Sequence, residues 1–134
     1  MQAQNLQQNG EYRKEDEKLA TVSVNSLVST DGAQLTGSAT TLYTATGTKF
    51  QLTSIVLVND TTTAVTATIY LVPSGGTAGV DNILVNAMAI PTDGSPLVLE
   101  FSELYLETSG TIQGLASTTA QVTYHITGKE LNVA

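Results

Sequence analysis

Cysteine and tryptophan are absent from the chain, histidine occurs once, at position 125, and only 13% of its 134 residues are charged. Without cysteine there is neither a disulfide framework nor a thiolate metal site, so stability has to come from packing or assembly. Soluble domains usually carry about 25% charged residues, so something else covers this surface. No stretch reaches the roughly 18 consecutive apolar residues of a membrane-spanning helix, and the first residues lack the apolar run of a signal peptide. The chain is therefore expected to be soluble, made in a cytoplasm and without a membrane partner. Twelve acidic residues against five basic ones give a formal charge of -7, which repels duplex DNA and argues against direct nucleic-acid binding.

Catalysis is the next function class to lose support. General acid-base or nucleophilic chemistry needs a positioned donor, acceptor and nucleophile, and any triad in this chain would have to use His125. That residue falls on the threonine face of the last expected strand, where solvent or a subunit contact explains it better. Ser74, Gly75 and Gly76 share only glycine with a phosphate-cradling loop, since lysine and a following helix are missing. Glu100, Glu103 and Glu107 lack the dense Asp/Asn loop of a calcium site, and charges that solvate a sheet edge are the simpler reading. The stacking tryptophan of a glycan site is absent, and Tyr43, Tyr70, Tyr105 and Tyr124 each fall within an expected strand, where packing accounts for them. The expectation is a non-enzymatic protein with no catalytic residues, no cofactor and no metal.

What the chain does contain is threonine and valine throughout, the composition of pleated, half-buried strands. Residues 1–18 differ from the rest. Rich in Gln, Asn and mixed charge, with Leu6 and Tyr12 as their large apolar side chains, they cannot bury enough surface to order alone. They read as an extended N-terminal arm, with a helical turn allowed over Glu15 to Leu19. Two meanings stay open for it: a frayed terminus, or an arm that orders on a partner through Leu6, Tyr12, Arg13, Lys14 and Lys18.

From residue 19 to residue 134 the texture becomes short apolar runs separated by turn residues about ten apart, as in sandwiches and barrels. A first strand is expected within 20–29, before a turn at Asp31-Gly32, and it belongs either to the domain or to the arm. Leu42 to Ala45 and Phe50 to Val58 should form a hairpin about Thr46-Gly47-Thr48. After a turn at Asn59 to Thr63, a strand from Val65 to Val72 puts Val65, Ala67, Ile69 and Leu71 on one face and Thr66, Thr68, Tyr70 and Val72 on the other. A glycine-rich loop follows at 73–79, then a strand over Ile83 to Ile90 that Pro91 ends. Leu97 to Phe101 and Leu104 to Glu107 read as two short pieces, and Gly114 suggests a bulge in the strand over Ile112 to Ala116. The last strand, Gln121 to Gly128, turns Val122, Tyr124 and Ile126 inward and Thr123, His125 and Thr127 outward. Eight or nine strands without a convincing amphipathic helix fit an all-β, antiparallel β-sandwich of jelly-roll or Greek-key type, with a closed barrel as the other arrangement.

The segment from Leu42 to Thr77 resembles small structural proteins of tailed bacteriophages. In those proteins an LYT strand, a glycine turn, an apolar strand ending in Asn, a Thr-rich turn and a strand ending near VPSGG recur. TIQGLAS-like and VTYHITGKEL-like strands follow, here Thr111 to Ser117 and Val122 to Leu131. The likeness covers about residues 35–131. It departs at Thr46-Gly47-Thr48, where the family usually has a proline, and at the charged arm, which is not part of the pattern. The resemblance implies a virion component on the capsid surface: a head decoration or cement protein, partnered by the major capsid protein and assembled as a homo-oligomer, often a trimer. The other role considered is a tail, baseplate or fibre component that contacts a host receptor or glycan through loops 59–63 and 73–81.

Overall fold

The computed structural model describes residues 22–30 and 32–133; the arm at 1–18 and its residues Leu6, Tyr12, Arg13, Lys14 and Lys18 lie outside them. Among the described residues there are nine strands: β1 (Val22–Ser29), β2 (Ala33–Gln34), β3 (Thr40–Thr44), β4 (Lys49–Asn59), β5 (Val65–Val72), β6 (Ile83–Ile90), β7 (Leu97–Glu107), β8 (Thr111–Ala116) and β9 (Val122–Val133). One sheet has the order β1-β9-β4-β7, with β2 also on β9, and the other has the order β3-β8-β5-β6. All pairings are antiparallel.

This order is that of a jelly roll. From β2 onward the chain crosses between sheets at every connection except β5 to β6, which is a hairpin within one sheet. Strands β1 and β2 are two halves of one edge strand, because both pair with β9, at Ser29↔Thr127 and then at Ala33↔Tyr124. Of the expected turn at Asp31-Gly32, Asp31 lies outside the described residues; β1 and β2 run the same way along β9, so the chain does not reverse between them. Gly32 takes a φ of 91° there, the left-handed region that glycine tolerates.

Three other local expectations are corrected. β3 and β4 are not a hairpin, since they belong to different sheets and the Thr46-Gly47-Thr48 turn is a corner between them. Local turn chemistry looks the same in both cases; the partner of each strand is set by distant residues. Leu97 to Glu107 is one strand. Its register jumps from Leu52↔Leu104 to Ser54↔Glu100, and the bulge, with Glu103 at a φ of 57°, produces the break in alternation that looked like two pieces. Gly114 pairs in unbroken register with Ile69 on β5, and the bulge lies on the neighbouring strand, between Thr41 and Tyr43. A Cβ at Gly114 would sit 3.0 Å from both Ile69 Cδ1 and Leu42 Cδ1, so glycine serves close packing there.

Alternation decides what is buried. β4 turns Phe50, Leu52, Ile55 and Leu57 inward, β5 contributes Val65, Ala67 and Ile69, and β9 contributes Val122, Tyr124 and Ile126; all lie in one core cluster. Each large aliphatic side chain in it stabilises the fold by about 1.5–3 kcal/mol relative to exposure. Leu35, fully buried between β2 and β3, ties the sheets together. Its N–H donates to Val122 O at 2.8 Å and its carbonyl accepts from Ala120 N at 3.0 Å, while the next carbonyl, of Thr36, accepts from Ala116 N at 2.9 Å.

The turn between β4 and β5 is built on Asn59, which is fully buried. Its Nδ2 donates to Thr63 O at 2.9 Å, and its Oδ1 accepts from Thr61 N at 3.1 Å and from Thr61 Oγ1 at 2.7 Å. The adjacent loop from β6 to β7 docks on it, with Asp93 N donating to Thr61 O and Gly94 N to Asn59 O. The Asn-Asp-Thr-Thr-Thr run thus folds as one hydrogen-bonded knot.

Candidate interaction surfaces

The residues that catalysis would require fall in different places. His125 sits on the outer face of the β1-β9-β4-β7 sheet, paired with Val56, beneath the strand interruption: a Cβ on Gly32 would lie 2.7 Å from His125 Cε1. Glu100 and Glu107 lie on the edge strand β7, opposite Ser54 and Lys49, with β4 between that strand and His125. Among the described residues no three His, Asp or Glu side chains are arranged to hold a metal ion. Ser74, Gly75 and Gly76 form an exposed turn closed by Gly76 N donating to Pro73 O at 2.9 Å, followed by a three-residue 3-10 turn at Val80–Asn82. A small open groove of about 180 Å³ lies beside them, lined by Leu71, Pro73, Ser74, Tyr105, Leu106 and Glu107. Lys49 Nζ stands 5.9 Å from the Tyr105 ring centroid at the same end. Loops 59–63 and 73–81, which a receptor-binding reading would combine, sit at opposite ends of β5. They cannot line one site.

The one buried charge among the described residues is Glu130, on β9, a residue the sequence reading passed over. Its Oε2 accepts from Thr46 N at 2.8 Å, from Thr46 Oγ1 at 2.6 Å and from Gly47 N. Asn132, two residues on, accepts from Thr48 N at 3.1 Å. The C-terminal strand thereby clasps the corner between β3 and β4, replacing with side-chain oxygens the ladder bonds a hairpin would have made. Glu130 Oε1 is buried without a hydrogen-bond partner. The only sequence signal for this arrangement was that Glu130 continues the inward parity of Val122, Tyr124 and Ile126.

Tyr43 packs on Phe50 with ring centroids 4.6 Å apart, and its hydroxyl pKa is raised, first by burial and then by the nearby Glu130 carboxylate. Burial raises that of Tyr124 as well. Both phenols are therefore held neutral in the folded state above the value near 10 at which they ionise when unfolded. The stability this contributes is complete below pH 10 and is lost as pH rises through the folded values. Thermal melts from pH 8 to 11 should show stability falling above pH 10, with a shallower fall in Tyr43→Phe. Identical slopes for the two proteins would exclude Tyr43 as a source.

Charge is divided unequally between the sheets. β4, β7 and β9 carry Lys49, Glu100, Glu103, Glu107, Lys129 and Glu130, whereas β3, β5, β6 and β8 carry no charged residue. The strands at the four ends of the sheet orders, β1, β7, β3 and β6, each have a register shift in their pairing. Such bulges bend an edge away from further strand addition.

No protein-family model matches this chain, and no curated protein matches it. Among solved structures, a Bacillus endospore appendage, described as belonging to a family of disulfide-linked pili, is similar at 18% identity and a TM-score of 0.48, over 84% of this chain and 88% of that one. A chain of infectious bursal disease virus (Gt strain) is similar at 15% identity and a TM-score of 0.37, over 81% of this chain. The VP2 subviral particle of the same virus follows at 16% identity and a TM-score of 0.32. This chain spans only 32% of the length of either viral chain.

Proposed function

We propose that this chain is a non-enzymatic structural protein of a tailed-bacteriophage virion, a decoration or cement subunit that binds the head lattice and is held there as an oligomer. The observation that carries the reading is the treatment of the sheet edges. All four are interrupted, so the sandwich adds to a surface as a discrete knob in place of growing strand by strand through its own edges. The resemblance of residues 35–131 to small phage structural proteins supplies the kind of surface. A lattice repeats one weak contact many times, so avidity retains each subunit without a tight individual interface. The arm, through Leu6, Tyr12, Arg13, Lys14 and Lys18, adds reach by ordering on the capsid protein.

Deleting residues 1–18 tests this reading. The truncated chain should keep the circular dichroism spectrum and melting temperature of the full chain, and should no longer co-sediment with undecorated particles. Unchanged co-sedimentation would remove the arm from the account.

A further inference from the structure

We infer that the outer face of the β3-β8-β5-β6 sheet is where a second copy of this chain packs, face to face. The inference deepens the oligomeric part of the reading above and rests on it. Its starting point is the charge division. On a chain of formal charge -7, none of the strands of this sheet carries a charged residue. Interface cores are depleted in charge because an ion taken out of water without a partner is costly. Of the two sheet faces, this is the one that can be dehydrated without stripping an ion.

The register gives its composition. One row across the sheet reads Ile83, Tyr70, Gln113 and Thr41, since Tyr70 pairs with Ile83 on one side and Gln113 on the other, and Gln113 pairs with Thr41. Leu115, opposite Thr68, stands in the neighbouring row. Tyr70, Ile83 and Leu115 are half-buried and take no part in the core cluster. Just before β6, Val80 is 86% exposed, more than any other large apolar side chain described. A half-buried tyrosine flanked by aliphatic and amide side chains, without charge, matches the aromatic-rich, charge-poor core of an association surface.

Area fits a second copy held weakly. Four strands about 4.8 Å apart, each contributing about 23 Å of length, cover about 440 Å², so two such faces remove about 900 Å² from water, below the roughly 1,000 Å² of a stable specific interface and in the range of weak, concentration-dependent contacts. A flat face packed on its own copy is two-fold and closed. The assembly is then a dimer, in place of the trimer that the phage resemblance implies.

Light scattering coupled to size exclusion on the full chain, at high micromolar concentration, tests this. Wild type should show twice the 14.0 kDa mass of one chain. Tyr70→Lys should show the single mass while melting like wild type at low concentration, where both are monomeric, and Leu115→Lys serves as a second variant of the same face should the first fail to fold. Thr127→Lys, an equal charge change on the exposed outer face of the other sheet, should remain dimeric. A monomeric wild type overturns both the oligomer and the face. A trimer, or a dimer indifferent to Tyr70→Lys and Leu115→Lys, overturns the face and leaves oligomerisation standing. Because mass is read on free protein, the capsid reading fails or stands separately.

Discussion

Replacing Gly128 with valine is expected to destabilise the domain by about 3 kcal/mol or more, near or above the upper end for overpacking a core, and to lower its melting temperature by about 10 °C. Gly128 continues the inward face of β9, where the Phe50 ring lies directly over its Cα. A Cβ built there would overlap Phe50 Cζ and come within 2.5 Å of Gln51 O. The ring can tilt, but the carbonyl belongs to the β4 ladder, which pairs Gln51 with Lys129 and Leu52 with Gly128. Accordingly Phe50→Leu, which removes the ring edge, should recover only part of the loss in the Gly128→Val background, and a double-mutant cycle measures that part. A Gly128→Val protein that melts within 2–3 °C of wild type, less than about 1 kcal/mol, would mean the two strands separate more easily than the packing shows.

Glu130→Ala should cost about as much, about 3 kcal/mol, for a different reason. Two backbone N–H groups, of Thr46 and Gly47, and the Thr46 hydroxyl share its Oε2. Removing the carboxylate leaves the buried Gly47 N–H and the part-buried Thr46 N–H without their acceptor, and a buried donor left unpaired costs about 1–3 kcal/mol. Glu130→Gln keeps an acceptor oxygen in place without its charge and should lose about half as much, since hydrogen bonds to ionised acceptors are roughly twice as strong. Hydrogen exchange locates the effect: the amides of Thr46 and Gly47 should exchange faster in Glu130→Ala, while those of Thr61 and Asn59 at the opposite end of β4 stay protected. Uniform acceleration across the domain would show that the clasp is not local.

These two positions also show how far the sequence could be read. Strand existence and facing followed from alternation: Val65, Ala67 and Ile69 inward on β5, and Val122, Tyr124 and Ile126 inward on β9, stand as read. The all-β sandwich followed too, because threonine and valine at period two leave few alternatives. Pairing did not follow. The Thr46-Gly47-Thr48 corner and a hairpin turn have the same local chemistry, and what separates them is Glu130, more than eighty residues away. Gly128 reads as a strand terminator and becomes interpretable only when Phe50 is seen above it. The Glu103 bulge broke the alternation of β7 and so split one strand into two.

For the candidate surfaces, His125 fell on the outer face as expected and Glu100 to Glu107 fell on an edge strand. The uncharged sheet could not be recognised beforehand, because β3, β5, β6 and β8 are scattered along the chain and become neighbours only through the jelly-roll crossings. The arm residues remain where the sequence alone placed them, as the proposed contact with the lattice.

The most direct test of a decoration role is to label purified particles, from the phage whose genome encodes this chain, with gold-conjugated antibody against the sandwich domain and to image them by electron microscopy. Gold distributed over the whole head is the predicted result. Gold confined to the tail tip, or particles without gold, would contradict it.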